Sequence, residues 1–101
     1  SKDQEKGFLE RVSSEKELSQ ILEIKNNFEA KLNIPIKNFT KEDGELINVR
    51  TVEGWEAYFD LENDIKLSLT KLTLLLEKEI SLAQRKNLQY IDLRFSKAYY
   101  K

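Results

Sequence analysis

Between residues 14 and 32 the apolar positions recur every three or four residues, at Leu18, Ile21, Leu22, Phe28 and Leu32. That spacing lines one face of an amphipathic helix. Lys16, Glu17, Glu23 and Lys25 fall mostly off it, as a solvated surface. Ser14 and Glu17 stand at capping-box spacing. Pro35 ends the helix, because the residue before a proline avoids helical backbone. The period then shortens to two. Residues 34–40 read as a strand in which Ile34 and Ile36 share a face and Phe39 falls on the other, so a bulge near Asn38 is expected. In residues 45–51, Ile47, Val49 and Thr51 alternate with Leu46, Asn48 and Arg50. Next, Trp55, Ala57, Phe59 and Leu61 alternate with Glu56, Tyr58 and Asp60. Short turns containing Gly44 and Gly54 join these strands, which predicts an antiparallel meander. A second helix starts at Ile65 with Asn63 or Asp64 as its cap. Its stripe is Ile65, Leu69, Leu72, Leu76 and Ile80, widened by Leu67, Leu74 and Leu75. Ser81 and Gln84 repeat the capping-box spacing and predict a short extra turn, with Asn87 as a left-handed stop.

The last stretch, residues 88–101, reads LQYIDLRFSKAYYK. Ile91, Leu93 and Phe95 alternate with Tyr90, Asp92 and Arg94, the signature of a half-buried strand. Counted straight through, the inward positions would next be Lys97, Tyr99 and Lys101. Two lysines in a core are too costly. The strand therefore either leaves the core after Phe95, or a bulge at Ser96 and Lys97 turns Ala98 and Tyr100 inward and Tyr99 and Lys101 outward. As the terminal strand it is expected at a sheet edge, where unpaired N–H and C=O groups can template another chain.

The predicted fold class is α+β: a small antiparallel or mixed sheet with two helices on one face, in the order α-β-β-β-α-β. Residues 1–12 are a short first strand after a polar turn at Gly7, or a frayed end. The meander runs up, down, up, and the second helix returns, so the last strand runs parallel to the first and third. The open face then carries Arg50, Tyr58, Tyr90, Asp92 and Arg94.

At 101 residues the chain fits a single small domain with one core. Its net charge of −1 offers no global field for nucleic acid or anionic lipid. It has no cysteine and no histidine. Disulfides, zinc–thiolate sites, cysteine nucleophiles and the commonest general base are thereby excluded. No cofactor, metal site or catalytic set is expected. Asp92 reads as an ion-pair partner for Arg94 or for a cross-strand residue such as Arg50. The acidic turn at Glu42, Asp43 and Glu45 lacks calcium-loop spacing. Tyr99, Tyr100 and Lys101 could suggest base stacking, but no basic stripe accompanies them. Exposed aromatics on an edge point rather to a protein contact.

Tyr90-Ile91-Asp92-Leu93-Arg94-Phe95 resembles the YIDLRF motif near the end of the extracytoplasmic β-domain of the FtsQ/DivIB family of bacterial cell-division proteins. Glu53-Gly54-Trp55, followed by Tyr58-Phe59-Asp60, is similar to the strand before that family's last helix. The likeness covers residues 46–101. It implies a non-catalytic divisome scaffold, cut from a membrane-anchored parent on the outer side of the cytoplasmic membrane. The implied partners are FtsB/DivIC-type proteins and FtsL, one of which adds a strand to the terminal strand. By the motif, Arg94 and Phe95 correspond to positions beside the partner strand. Tyr99 and Tyr100 are further anchor candidates, and deleting residues 99–101 is expected to weaken binding while sparing the fold. Two other readings compete. One is a generic α+β ligand-binding or enzymatic domain, which a deep pocket with convergent carboxylates would favour. The other is a truncated or redesigned domain that keeps the fold without the partner.

Overall fold

Helix α1 spans Glu15–Asn26, and the Ser14 hydroxyl caps it by accepting from the Glu17 amide at 3.1 Å. The structure, a computed structural model, describes residues 14–101, so the expected turn at Gly7 and strand over residues 8–12 lie outside the described residues. The buried face of α1 differs from the expected one. Ile21, Ile24 and Phe28 are buried, whereas Leu18 and Leu22 are 37% and 53% exposed. The apolar residues of this segment cover more of the helix surface than one stripe, and the packing partners choose among them. Phe28 is the anchor, with ring centroids 5.9 Å from Trp55 and 6.4 Å from Phe59. Glu17, expected in solvent, is 5% exposed. Its carboxylate accepts from Lys41 Nζ at 3.1 Å, so the helix turns that side inward.

The chain continues from α1 into a π-helical turn, Asn27–Lys31, in which the Leu32 amide reaches back to the Asn27 carbonyl at 3.0 Å. The extra residue in this turn shifts the helical phase between Ile24 and Leu32. The helix stops before Pro35. Asn33 adopts φ 56°, the left-handed region that asparagine tolerates better than most residues. It is the only described non-glycine residue with positive φ, so the stop expected at Asn87 is not left-handed.

Strands β1 (Ile36–Lys41), β2 (Leu46–Thr51) and β3 (Glu56–Asp60) form the antiparallel meander. The register shifts between Ile36 and Asn38, which is the bulge the mixed phase of this strand required. It returns Phe39 to the core side, opposite Val49. Helix α2 (Ile65–Lys78) is capped by Asp64, whose Oδ1 accepts from the Leu67 amide at 3.2 Å. Its buried stripe is Ile65, Ser68, Leu69 and Leu72. Leu75 and Leu76 pack partly against the core, while Leu67 and Leu74 are exposed, so the stripe is narrower than the leucine count suggests. Helix α3 (Leu82–Arg85) carries both halves of the Ser81–Gln84 capping box.

Strand β4 (Tyr90–Asp92) runs parallel beside β3, with Ala57 opposite Ile91 and Tyr58 opposite Asp92. Residues 88–101 are not one strand. The chain bends at residues 94–97 and returns as β5 (Tyr99–Tyr100), antiparallel to β4. The sheet order is β1-β2-β3-β4-β5, so β4 is interior and β5 is the edge. A reversal, not a bulge, resets the phase after Leu93. It places Tyr100 opposite Ile91 on the helix side and Tyr99 opposite Asp92 on the open side. The core gathers Trp55, Phe28, Phe59, Ile34, Ile47, Leu72, Ile91 and Leu93, each almost wholly removed from water. Full burial of such side chains contributes about 1.5–3 kcal/mol apiece. The chain is thus an α+β fold with a five-stranded mixed sheet.

Candidate protein-interaction edge

The anchoring of β4 explains what the open face can present. Leu93 is buried and its amide donates to the Tyr58 carbonyl at 2.9 Å, so the chain is pinned just before it turns away. Arg94 then stands at the rim. Its Nε and Nη2 donate to Asp92 Oδ1 and Oδ2 at 2.9 and 2.7 Å, and its amide donates to Oδ1 at 3.1 Å. Burial acts to raise the Asp92 carboxyl, but the two guanidinium bonds, the amide bond and the Arg94 charge outweigh it and hold the group below the usual carboxylate range. Asp92 in turn raises the already high Arg94.

The Arg94 guanidinium lies 5.3 Å from the centre of the Tyr58 ring and 5.5 Å from that of Phe95, at cation–π distance. Tyr58 stacks on Tyr90 at 5.6 Å, and Phe95 meets Tyr99 edge-on at 6.3 Å. Tyr90, Tyr58, Arg94, Phe95 and Tyr99 therefore form one continuous aromatic and guanidinium surface. The Tyr58 hydroxyl donates to Glu56 Oε2 at 3.1 Å, and Glu56 also pairs with Arg50 at 2.8 Å. Burial and then the Glu56 carboxylate push the Tyr58 phenol above its usual range. Two ion pairs lie on this face, Arg50 with Glu56 and Arg94 with Asp92. Beside them ring surface faces outward, with Phe95 55% and Tyr99 52% exposed.

The backbone of β5 adds directional groups. Tyr90 and Lys101 exchange amide–carbonyl bonds at 3.3 and 3.2 Å. In an antiparallel pair, successive residues point their N–H and C=O alternately toward and away from the neighbour. Tyr99 therefore faces Asp92, and the Tyr100 N–H and C=O face away from the sheet.

Three of the four residues expected to meet a partner, Arg94, Phe95 and Tyr99, are brought together. Tyr100 is separated from them by the sheet, on the helix side. Sequence reasoning missed the supports of the turn. Asn63 Nδ2 donates to the Arg94 carbonyl at 2.9 Å and Lys71 Nζ to the Ser96 carbonyl at 2.5 Å. No periodicity marks these contacts, since Asn63 lies in a loop and Lys71 looks like surface charge.

Elsewhere, a groove of about 640 Å3 between α1 and α2 is lined by Glu23, Asn27, Lys31, Lys66 and Thr70 among others, with Glu23 its one carboxylate. The Asn27 amide nitrogen is buried there without a hydrogen-bond partner among the described residues. Near α3, Glu53 accepts from Arg85 and from Trp55 Nε1. Burial opposes ionisation of Glu53, and the Arg85 and Trp55 bonds override it and lower its pKa. No described cluster of three acidic, histidine or cysteine residues could hold a metal, and no described helix is long and apolar enough to cross a membrane. No protein-family profile matches the chain, and no curated protein matches it significantly.

Proposed function

We propose that this domain is a non-catalytic scaffold of the FtsQ/DivIB type, which binds an extended strand of an FtsB/DivIC-type partner, together with FtsL, along β5. Its parent would be anchored in the bacterial cytoplasmic membrane, with this part on the outer side. The observation that carries the reading is the outward N–H and C=O of Tyr100 on an exposed edge, directly beside the Arg94–Phe95–Tyr99 surface. An added strand gains main-chain hydrogen bonds from such an edge, while neighbouring side chains select its sequence. Aromatic rings that are rigid and half-exposed are the usual anchors of such contacts. Arg94 serves by its stacked plane, because its charge is already committed to Asp92.

The test is titration of the labelled domain with FtsB/DivIC-type peptides, read by amide shifts. Shifts at Arg94 to Lys101 and a weakened complex for Tyr99→Ala and Phe95→Ala are expected. Tyr100→Pro removes an outward donor and should weaken it further. These point variants are cleaner than removing residues 99–101, because loss of β5 bares the edge of β4. Binding confined to α1, or no binding of any such peptide, would sink the proposal.

A further inference from the structure

A two-residue strand is a weak element by itself. Isolated hairpins of full length are only marginally stable in water. Between Leu93 and Ala98, moreover, the chain buries nothing: Arg94 is half-exposed and Phe95, Ser96 and Lys97 are exposed. Yet the turn presents Arg94 and Phe95 in one defined arrangement. Asp92 holds its start through Arg94, and Phe95 meets Tyr99, but the backbone carbonyls of the turn are held from α2 and the loop before it. Asn63 Nδ2 binds the Arg94 carbonyl at 2.9 Å, and Lys71 Nζ binds the Ser96 carbonyl at 2.5 Å. These two carbonyls are alternate residues of the turn, so both ends of the Arg94–Ser96 segment are fastened.

Asn63 is itself held. Its amide donates to the Asp60 carbonyl at 3.0 Å, the Glu62 amide donates to Asp60 Oδ1 at 2.9 Å, and Asp64 caps α2. The turn from β3 into α2 is thus fixed by its own hydrogen bonds and offers Asn63 as a ready arm. Lys71 lies on α2, one position before the fully buried Leu72. One arm therefore extends from a hydrogen-bonded turn and the other from a packed helix to an unpacked segment.

We propose that Asn63 and Lys71 are positioning residues: they order the turn between β4 and β5 and so preset the edge that receives the partner strand, without touching the partner. This rests on the proposed strand-addition reading. A pre-ordered edge binds more tightly because less conformational entropy is lost on association.

The experiment uses the free domain first. Amide exchange is measured for the wild type, for Asn63→Ala, for Lys71→Met and for the double variant. Exchange at Arg94, Tyr99 and Lys101, whose amides bond to Asp92, to β4 and to Tyr90, is expected to accelerate about tenfold in each single variant, the scale of one lost hydrogen bond. Val49 and Ala57, in the centre of the sheet, should keep their protection. Lys71→Arg should restore the turn, since it keeps a donor. Unchanged exchange at Arg94, Tyr99 and Lys101 in the double variant overturns the proposal whether or not any partner binds. The second measurement is affinity for the FtsB/DivIC-type peptides. Equal affinity of wild type and double variant also overturns it, whereas absence of wild-type binding refutes the strand-addition reading while leaving the exchange result decisive for the tethers.

Discussion

Asp92 and Arg94, two residues apart at the end of β4, close on each other through two of the three guanidinium nitrogens, Nε and Nη2, and the Arg94 amide, at 2.9, 2.7 and 3.1 Å. The pair bends the chain out of the sheet just after Leu93 is pinned. It also lays the guanidinium over Tyr58 and Phe95. One ion pair thereby ends a strand and builds the surface next to the new edge.

This pair should be visible in the acid limb of stability. The folded Asp92 carboxyl lies below its unfolded value of about 3.9. A depressed acid contributes stability that is present above the unfolded pKa and is lost as pH falls through the folded one. Asp92→Asn should therefore be less stable than the wild type at neutral pH, with the gap closing below pH ~4. Urea denaturation across pH 2.5–7 reads this. A gap that stays constant over the range means that Asp92 is not stabilised by its charge.

Leu72 is wholly buried on α2. Leu72→Ala should cost about 2–5 kcal/mol, as truncation of a packed leucine does. Denaturant unfolding supplies the number, and a loss below about 0.5 kcal/mol, the scale of a neutral surface change, contradicts the packing.

The face of α1 can be tested by contrast. Ile24→Ala removes a side chain with no exposure and should cost about 2–5 kcal/mol. Leu22→Ala, at a half-exposed position, should cost under about 1 kcal/mol. The reverse ranking in thermal or chemical unfolding would restore the helix face expected from the sequence pattern.

Lys41 stands where two carboxylates approach. Its ammonium lies 3.1 Å from Glu17, and Glu45 sits close enough to Glu17 to be affected by it. The Glu45 carboxyl is raised by burial and then by Glu17, while Lys41 pulls it down. Lys41→Met should destabilise by about 1.5–3 kcal/mol at pH 7, the scale of a hydrogen bond to a charged group. A carboxyl whose folded pKa is raised gains stability as pH falls through that value. The penalty should thus shrink toward pH ~4. A penalty that grows in acid would show that the carboxylates do not repel each other.

The meander was legible because strand alternation has a strict period and each strand has one buried face. Ile47 and Val49, then Trp55, Ala57 and Phe59, could point only one way. The bulge before Asn38 was legible from the same strictness, since a broken phase needs an extra residue. The caps at Ser14, Asp64 and Ser81 followed from local chemistry, each side chain meeting an amide three residues on. The face of α1 was not legible. Apolar residues at 18, 21, 22, 24 and 28 allow more than one stripe, and the π-turn at Asn27–Lys31 alters the phase without any mark in composition.

The division between sequence and structure is sharpest at the end of the chain. Alternation through Phe95 and the cost of burying Lys97 are properties of the sequence, and they determined only that the strand could not run straight on to Lys101: it had to leave the core after Phe95 or reset its phase at a bulge. They did not decide how. A bulge at Ser96 and Lys97 would have kept Phe95 inward, whereas the reversal turns the chain away after Leu93, leaves Phe95 exposed beside Arg94 and Tyr99, and changes which backbone groups find partners. That choice belongs to tertiary structure: Asn63 and Lys71, distant in sequence, take the carbonyls of Arg94 and Ser96, and β4 takes β5 as its neighbour. Hydrogen bonds between residues 25 or more positions apart leave no local period, so the reversal that makes β5 the open edge and β4 interior became visible only when the chain was folded.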